Sequence, residues 1–263
     1  MPEGHKIHRL AQDHRADFAG RQLRVRSPQG RFAEGAAALN RRKLIDVSAH
    51  GKHLFYDFTA GHTLHVHLGR YGRFRTWPVP APAPEGQIRL RVTGSRKGFD
   101  LRGPAACELV TQKALEAILR RLGPDPLRPD ADPQQAWERI RRSRTPIGTL
   151  LLDQSVIAGV GNIFRADALF AMALHPDRPG ESIGEDEFDQ LWKWIVRTMK
   201  VSARHNRIIT ADPKRVGKPR GRMNDEQRLL VYKRHHCSAC GHKVDLWLLG
   251  GRKMYACPRC QPW

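Results

Sequence analysis

The sequence predicts an α+β chain, with a strand-rich first part, a helical middle and a short metal-stapled hairpin at the end. Three observations carry this expectation. Between about residues 21 and 110, apolar and polar side chains alternate with period two. From 111 to 203 the apolar residues recur at three- and four-residue intervals. Two Cys-x-x-Cys pairs, Cys237 with Cys240 and Cys257 with Cys260, then stand 16 residues apart. The divisions expected from these shifts are 1–110, 111–231 and 232–263.

Taken in order, residues 6–19 place Ile7, Leu10, Ala11 and Phe18 on one helical face, closed by Gly20. Leu23 and Val25 alternate with arginines, Leu54, Tyr56 and Phe58 with Phe55 and Asp57, Leu64, Val66 and Leu68 with His65 and His67, and Ile88, Leu90 and Val92 with Arg89 and Arg91. Short alternating strands at this density predict an antiparallel sandwich or barrel. The proline-rich run 78–86 reads as a loop. Leu115, Ile118, Leu119 and Leu122 mark a helix that Gly123-Pro124 ends. Asp132-Pro133 opens another, with an acidic N-cap and proline at the first helical position, and Thr145-Pro146 is expected to repeat the device. A turn-rich segment precedes a helix over 163–174, and Phe188, Leu191, Trp192, Ile195 and Met199 define a last amphipathic helix over 185–203. Residues 204–231 carry eight Lys and Arg among Gly and Pro and read as a mobile linker with no core of its own.

The four cysteines have the spacing of a structural zinc site, each pair placing two thiolates on one tetrahedral ion. One Zn2+ per chain is therefore expected on Cys237, Cys240, Cys257 and Cys260. The segment between them reads as a hairpin turning at Gly250-Gly251. A unit of about 30 residues buries too little surface to fold alone, so the ion would supply its folding energy. Cys107 reads as a small buried apolar residue. His235 and His236 are expected at the surface or facing phosphate.

The formal net charge is +20 and the pI about 10.6. Half of that excess lies in residues 201–263, which hold 14 Lys and Arg against 4 Asp and Glu. Such charge selects a polyanion, either nucleic acid or an anionic membrane surface. No apolar run approaches ~18 residues, the length a membrane-spanning helix needs, and no basic amphipathic helix suited to a membrane surface is present. The N-terminus lacks an apolar signal core, so a cytoplasmic protein is expected.

Two short stretches carry chemistry. Pro2 follows Met1, and a small second residue favours removal of the initiator, which would leave a free proline amine. Such an amine titrates near ~8 and attacks carbonyls, giving an iminium that is cationic without an added proton. Glu3 beside it can deliver a proton at the same locus. The alternative for Pro2-Glu3 is ordinary capping of the first helix. Further on, Ala158-Gly-Val-Gly-Asn162 opens a helix. Glycines there allow close backbone approach, and free N–H groups at a helix start bind phosphate, with Asn162 adding a donor. The alternative is a plain N-cap asparagine.

These pieces resemble one family. Met1-Pro-Glu-Gly4, Gly51-Lys52-His-Leu-Phe on an early strand, His67-Leu-Gly-Arg-Tyr-Gly72, Leu122-Gly-Pro-Asp-Pro-Leu127, Leu151-Leu-Asp-Gln-Ser-Val-Ile-Ala-Gly-Val-Gly-Asn162, Val231-Tyr232-Lys-Arg234 and the cysteine hairpin occur in the order found in the formamidopyrimidine-DNA glycosylase/endonuclease VIII family. The resemblance covers nearly the whole chain. It implies an N-terminal β-sandwich carrying the catalytic helix, then a helix-two-turns-helix domain with a zinc finger, and double-stranded DNA with a damaged base or abasic site as partner in a basic cleft. It implies a bifunctional glycosylase and abasic-site lyase of base excision repair, nucleoid-associated and monomeric. The damaged base is flipped out, Pro2 attacks C1′ of the deoxyribose, and Glu3 assists ring opening. The iminium acidifies C2′, so the 3′ phosphate leaves by β-elimination and δ-elimination can follow. Lys52 is implied as the lysine at the lesion phosphate with a proton-donor role, and Arg252 as the finger arginine on the same phosphates. Asn162, His67, Tyr232 and Arg121 match DNA-contacting positions.

The departures from the family pattern are informative. Arg70, next to Tyr71, stands where an apolar wedge is usual, and the planar guanidinium of Arg70 could stack on the orphan base or hold a phosphate. The arginine-phenylalanine loop of the 8-oxoguanine-type enzymes should fall near Phe99-Asp-Leu-Arg102-Gly-Pro104, and its Phe is missing. Residues 204–226 are unlike a purine-lesion loop. The expectation is therefore the endonuclease VIII-like branch, acting on oxidised pyrimidines. The rivals are an 8-oxoguanine or formamidopyrimidine enzyme and a non-catalytic zinc-finger reader of DNA, the latter disfavoured because Pro2 and Glu3 are both retained.

Overall fold

The protein is described from a computed structural model, in which residues 2–263 are described. The expected loss of Met1 concerns a residue outside that range. The backbone separates into two compact units, one holding Pro2 with Ile7–Arg120 and the other Glu3–Lys6 with Arg121–Trp263.

Helix α1 (Gly4–Phe18), which belongs to the first unit from Ile7 on, buries the expected Ile7, Leu10, Ala11 and Phe18 and stops before Gly20, whose φ of +78° suits glycine. Strand β1 (Arg24–Arg26) follows, then helix α2 (Ala33–Leu39), which the sequence reading missed because three successive alanines and Gly35 draw no apolar stripe. The remaining strands are β2 (Leu44–His50), β3 (His53–Phe58), β4 (His62–His67), β5 (Arg73–Pro78), β6 (Ile88–Thr93), β7 (Lys97–Arg102) and β8 (Ala106–Val110). They form two antiparallel sheets, ordered β1-β6-β7-β5 and β2-β3-β4-β8. Side chains of both sheets and of α1 share one apolar cluster, so the choice between sandwich and barrel falls to the sandwich. The strands absent from the sequence reading lack a clean period. β7 is buried on both faces, and β5, at a sheet edge, buries only Trp77.

The proline-rich loop after β5 is anchored by a buried ion pair. Arg91 donates from Nε and Nη2 to both oxygens of Asp100 at 2.7 and 2.8 Å, and from Nη1 to the Pro82 carbonyl. Its guanidinium lies 5.3 Å from the Trp77 ring centroid. A Cβ at Gly98 would sit 2.1 Å from that ring, so glycine is what lets the indole lie on the strand.

Helix α3 (Gln112–Arg120) buries none of its side chains and belongs with the strands rather than with the helical body. In the second unit, α4 (Pro133–Ile140) is capped as expected, the Asp132 carboxylate accepting from Gln134 N. The Thr145-Pro146 expectation is corrected: Pro146 itself is the N-cap of the four-residue α5 (Ile147–Leu150), with no side-chain cap. Helix α6 (Asn162–Ala171) and helix α7 (Glu185–His205) follow. All five residues predicted for the buried face of α7 are buried, each contributing roughly 1.5–3 kcal/mol.

The reading of 204–231 as a mobile linker is also corrected. Two of its arginines are used internally: Arg228 donates to the Ile208 carbonyl and Arg207 to the carbonyls of Arg220 and Met223, while Arg234, just beyond it, donates to those of Leu229 and Glu226. Ile209, Ala211 and Met223 form a small core, and the segment includes α8 (Pro213–Val216), capped by Asp212. The final hairpin pairs β9 (Asp245–Leu249) with β10 (Arg252–Ala256) across Gly250 and Gly251, both at positive φ, as a two-residue turn requires. Val244, Met254 and Cys257 join the helical core, so the hairpin is not packed by itself.

Candidate active site and nucleic-acid interface

The carboxylate of Glu3 caps α6. It accepts hydrogen bonds from Gly161 N at 3.1 Å, Ile163 N at 2.9 Å and Phe164 N at 3.4 Å, and the residue is only 2% exposed. The N-terminal end of a helix favours negative charge, and three N–H donors fix the carboxylate in place. The glycine turn makes this approach possible. Gly4 N donates to Gly159 O at 2.8 Å, Gly159 has φ +89°, and a Cβ on Gly161 would lie 2.4 Å from Glu3 Cδ. One sequence reading is thereby corrected: the α6 N–H groups of residues 161, 163 and 164 hold a carboxylate of the same chain rather than phosphate. The segment is fixed further by Lys6 Nζ donating to Asn206 Oδ1 at 2.7 Å and by His5 packed edge-on against Phe164. Burial, then Lys6 and Arg228, lower the His5 pKa to about 3, so the imidazole is neutral.

Asn162 is the first residue of α6, with Gly161 at the N-cap, so the plain N-cap alternative is overturned. Its Nδ2 donates to the Lys253 carbonyl at 2.9 Å, and its Oδ1 accepts from Arg165 Nη2 at 2.6 Å. Arg165 was missed by sequence reasoning. It is fully buried and donates to the carbonyls of Gly148, Leu249 and Lys253. Burial lowers its pKa to about 10, against the opposing pull of Glu3 and Tyr232, which leaves it cationic. A single guanidinium thus ties α5, α6 and both hairpin strands together and sets where Arg252, the exposed first residue of β10, stands. Asp167 was missed in the same way. Fully buried, it accepts from the Thr210 hydroxyl and from the backbone N–H groups of Leu230, Val231 and Tyr232. That fixes the backbone at Tyr232, whose ring meets Tyr255 edge-on at 5.0 Å. The i+3 and i+5 offsets from Asn162 on an otherwise apolar helix were the available signal.

In the first unit, Gly51 and Lys52 form the two-residue turn between β2 and β3, His50 pairing with His53 across it. Lys52 is therefore at a turn rather than on a strand. His67 ends β4, and its pKa is lowered by burial, by His65 and by Lys52. Tyr71 is 75% exposed, with the Arg70 guanidinium 5.5 Å from its ring centroid, so an aromatic and a cation project together from one loop. Arg121 is exposed just after α3. Cys107 is buried, which pushes its thiol up to about 12. His235 and His236 are exposed.

The four cysteine sulfurs lie within 4.8 Å of one another, Cys237 and Cys260 at 3.8 Å and Cys240 and Cys257 at 3.5 Å. A tetrahedral ion with metal–sulfur bonds of about 2.3 Å spaces its ligands roughly 3.8 Å apart, so the donor set fits one such ion.

Fold and site together define a class of protein: an α+β chain with a strand sandwich, a helical body and a cysteine-stapled finger. The chain belongs to the formamidopyrimidine-DNA glycosylase family, whose members are DNA N-glycosylases with abasic-site lyase activity. It matches the family's N-terminal domain over residues 1–105 and its H2TH domain over residues 122–213. It is 48% identical to a Mycobacterium tuberculosis protein named Endonuclease 8 1, covering 99% of this chain and 100% of the relative. It is 32% identical to the formamidopyrimidine-DNA glycosylase of Thermomicrobium roseum, over 86% of this chain and 84% of the relative. Among solved structures, a Lactococcus lactis Fpg in complex with an abasic-site DNA superposes with a TM-score of 0.80 at 21% identity, covering 99% of this chain and 100% of that one. A complex of the same enzyme with DNA containing an oxidised pyrimidine gives 0.83 at 21%, with both chains fully covered.

Proposed function

We propose that this protein is a bifunctional DNA glycosylase and abasic-site lyase that removes oxidised pyrimidines from double-stranded DNA, working as a monomer. Pro2 is the nucleophile at C1′, and Glu3 the group that assists base release and ring opening. Lys52 and Arg252 engage the lesion phosphates, with Lys52 serving β-elimination and Arg252 δ-elimination. His67, Arg70, Tyr71, Arg121, Asn162 and Tyr232 contact the duplex. The observation that carries this reading is the seating of the Glu3 carboxylate on three α6 N–H groups. The pyrimidine preference is supported by the 48% identity to a protein named Endonuclease 8 1, by Arg70 in the void-filling position and by the missing Phe after Arg102.

The ion on Cys237, Cys240, Cys257 and Cys260 is zinc, in a structural role. It holds the turn that presents Arg252.

The test is incision of duplexes, each carrying one oxidised base, together with borohydride trapping on abasic-site DNA. Oxidised pyrimidines should be released faster than 8-oxoguanine, and a covalent complex should be trapped. An uncleaved N-terminal extension turns the proline amine into an amide, whose lone pair is delocalised. It should abolish trapping while leaving DNA binding intact. Equal trapping by the blocked protein would remove Pro2 as nucleophile and make Lys52 the next candidate.

A further inference from the structure

A cavity of about 590 Å3 opens within the second unit, inside the roughly 300–1,000 Å3 typical of ligand sites. Trp194, Arg197, Thr198 and Val201 recur at helical spacing and give α7 one wall. The last turn of α6, with Phe170 and Ala171, gives a second, and residues 209–212 with α8 and Arg220 give a third. Ala239 and Cys260 close one end, so the cysteine finger is part of the enclosure. Helix α6 rises 1.5 Å per residue, which puts Ala171 about 14 Å along its axis from Asn162. The cavity is therefore at the opposite end of α6 from Asn162 and the Glu3 carboxylate.

Its lining separates into an apolar floor and a cationic rim. Phe170 and Trp194 are buried, while Val201 and Leu230 are half-buried and pack against the small core of Ile209, Ala211 and Met223. The hydroxyls of the floor are spent within the chain: Thr198 donates to the Trp194 carbonyl and Thr210 to Asp167. With no hydroxyl proton left to donate, the floor suits a hydrocarbon side chain better than a nucleobase, whose polar edge would be buried at a cost. Arg197, Lys214, Arg215 and Arg220 are exposed around it, and among the described residues none of these four makes an ion pair. The one carboxylate of the lining, Asp212, caps α8 by accepting from Lys214 N, so the wall carries a net charge of +3. The rim is also held in place, because Arg207 donates to the carbonyls of Arg220 and Met223. A duplex presents its phosphates on a convex surface and leaves such a floor unfilled, as does a small inorganic anion. An occupant that answers both parts carries several carboxylates around an apolar group.

We propose that this cavity is a docking site for an acidic segment of a partner protein. One apolar side chain of the segment fills the floor, and its flanking carboxylates meet Arg197, Lys214, Arg215 and Arg220. The buried anchor supplies most of the affinity, and the charges set orientation and the rate of encounter. Because the cavity and Asn162 occupy opposite ends of α6, the segment and a duplex are held at the same time. This inference goes beyond the lyase reading and does not rest on it, since it concerns binding alone.

The experiment uses the full metal-loaded chain and four fluorescein-labelled peptides of Asp and Glu, each with one central anchor, Leu, Ile, Phe or Trp. A fifth peptide carries Ser in the anchor position. Fluorescence anisotropy is read at about 150 mM salt, where charges more than about 8 Å apart are largely screened. At least one anchored peptide should bind, and the Ser peptide should bind roughly tenfold more weakly or worse, as for loss of a buried anchor. Reversing two exposed rim charges together, Arg197→Glu with Arg215→Glu, should weaken the anchored peptide by a similar factor. The same number of reversals on β1, Arg24→Glu with Arg26→Glu, should leave binding nearly unchanged. Ala171→Phe, which narrows the floor and leaves the rim cations in place, should weaken the anchored peptides and spare the Ser peptide. Saturating unlabelled duplex should leave the anchored peptide bound. Absence of binding by all four anchored peptides overturns the proposal. Equal binding of the Ser peptide, or equal loss in the β1 variant, reduces the attraction to bulk charge and overturns it as well. Displacement by duplex would assign the rim to the nucleic-acid interface instead.

Discussion

A single methyl group at position 161 would collide with the Glu3 carboxyl carbon at 2.4 Å. Gly161→Ala should therefore displace Glu3 from the α6 N-terminus without touching the metal site. Base release from an oxidised duplex should fall about 100-fold, in line with the loss of a positioned acid–base group. Cleavage at a pre-formed abasic site should fall less, because the base is already gone. Single-turnover kinetics on the two substrates separate the steps. His5 gives a second prediction at this scale. Its folded pKa of about 3 lies below the ordinary 6.5, so between those values the unfolded chain binds the extra proton. Stability then rises with pH across that window and is lost as pH falls from about 6.5 toward 3. Denaturant unfolding at several pH values should show that slope, and His5→Leu should flatten it. An unchanged slope in the variant would mean that His5 is not the group responsible.

Among the elements, the hairpin and α6 act as one piece because Arg165 donates to carbonyls of both hairpin strands. Arg165→Met keeps much of the volume but leaves those acceptors without their charged donor. At about 1.5–3 kcal/mol for a hydrogen bond to a charged group, the second unit should lose about 3 kcal/mol or more of unfolding free energy. Equilibrium denaturation measures this, and metal content should stay at one ion per chain. Chelation tests the other restraint. Removing the ion should release the turn bearing Arg252, so the hairpin amides should lose protection from hydrogen exchange while the strands of the sandwich keep theirs. Hairpin protection unchanged by chelation would mean that Arg165 and the shared core suffice without metal.

For the whole molecule, the +20 charge governs how the protein meets DNA. Neutralising phosphates releases counterions, so binding should weaken steeply between about 50 and 200 mM salt, by three orders of magnitude or more if six phosphates are contacted. Binding titrations at several salt concentrations measure the slope, and a flat response would contradict a phosphate-dominated interface. The basic segment 204–231 tempers the expectation. Arg207 and Arg228 donate to backbone carbonyls, so fewer of its cations face a duplex than their number suggests.

Much was legible in the sequence, and for identifiable reasons. Helix α1, helix α7 and strands β3, β4 and β6 show because one face of each supplies regularly spaced apolar residues to a core, which writes a period into the residues. The finger shows because cysteine spacing is set by the geometry of one ion. The sequence alone thus determined the α+β class and the cysteine module. Tertiary structure decided where the site residues are held. Glu3 seated on a helix start 158 residues away, and Arg165 and Asp167 as buried organisers, all depend on partners distant in sequence. A buried polar side chain is defined by what satisfies it, and nothing in its own neighbourhood of the chain records which distant carbonyl, N–H or imidazole that will be.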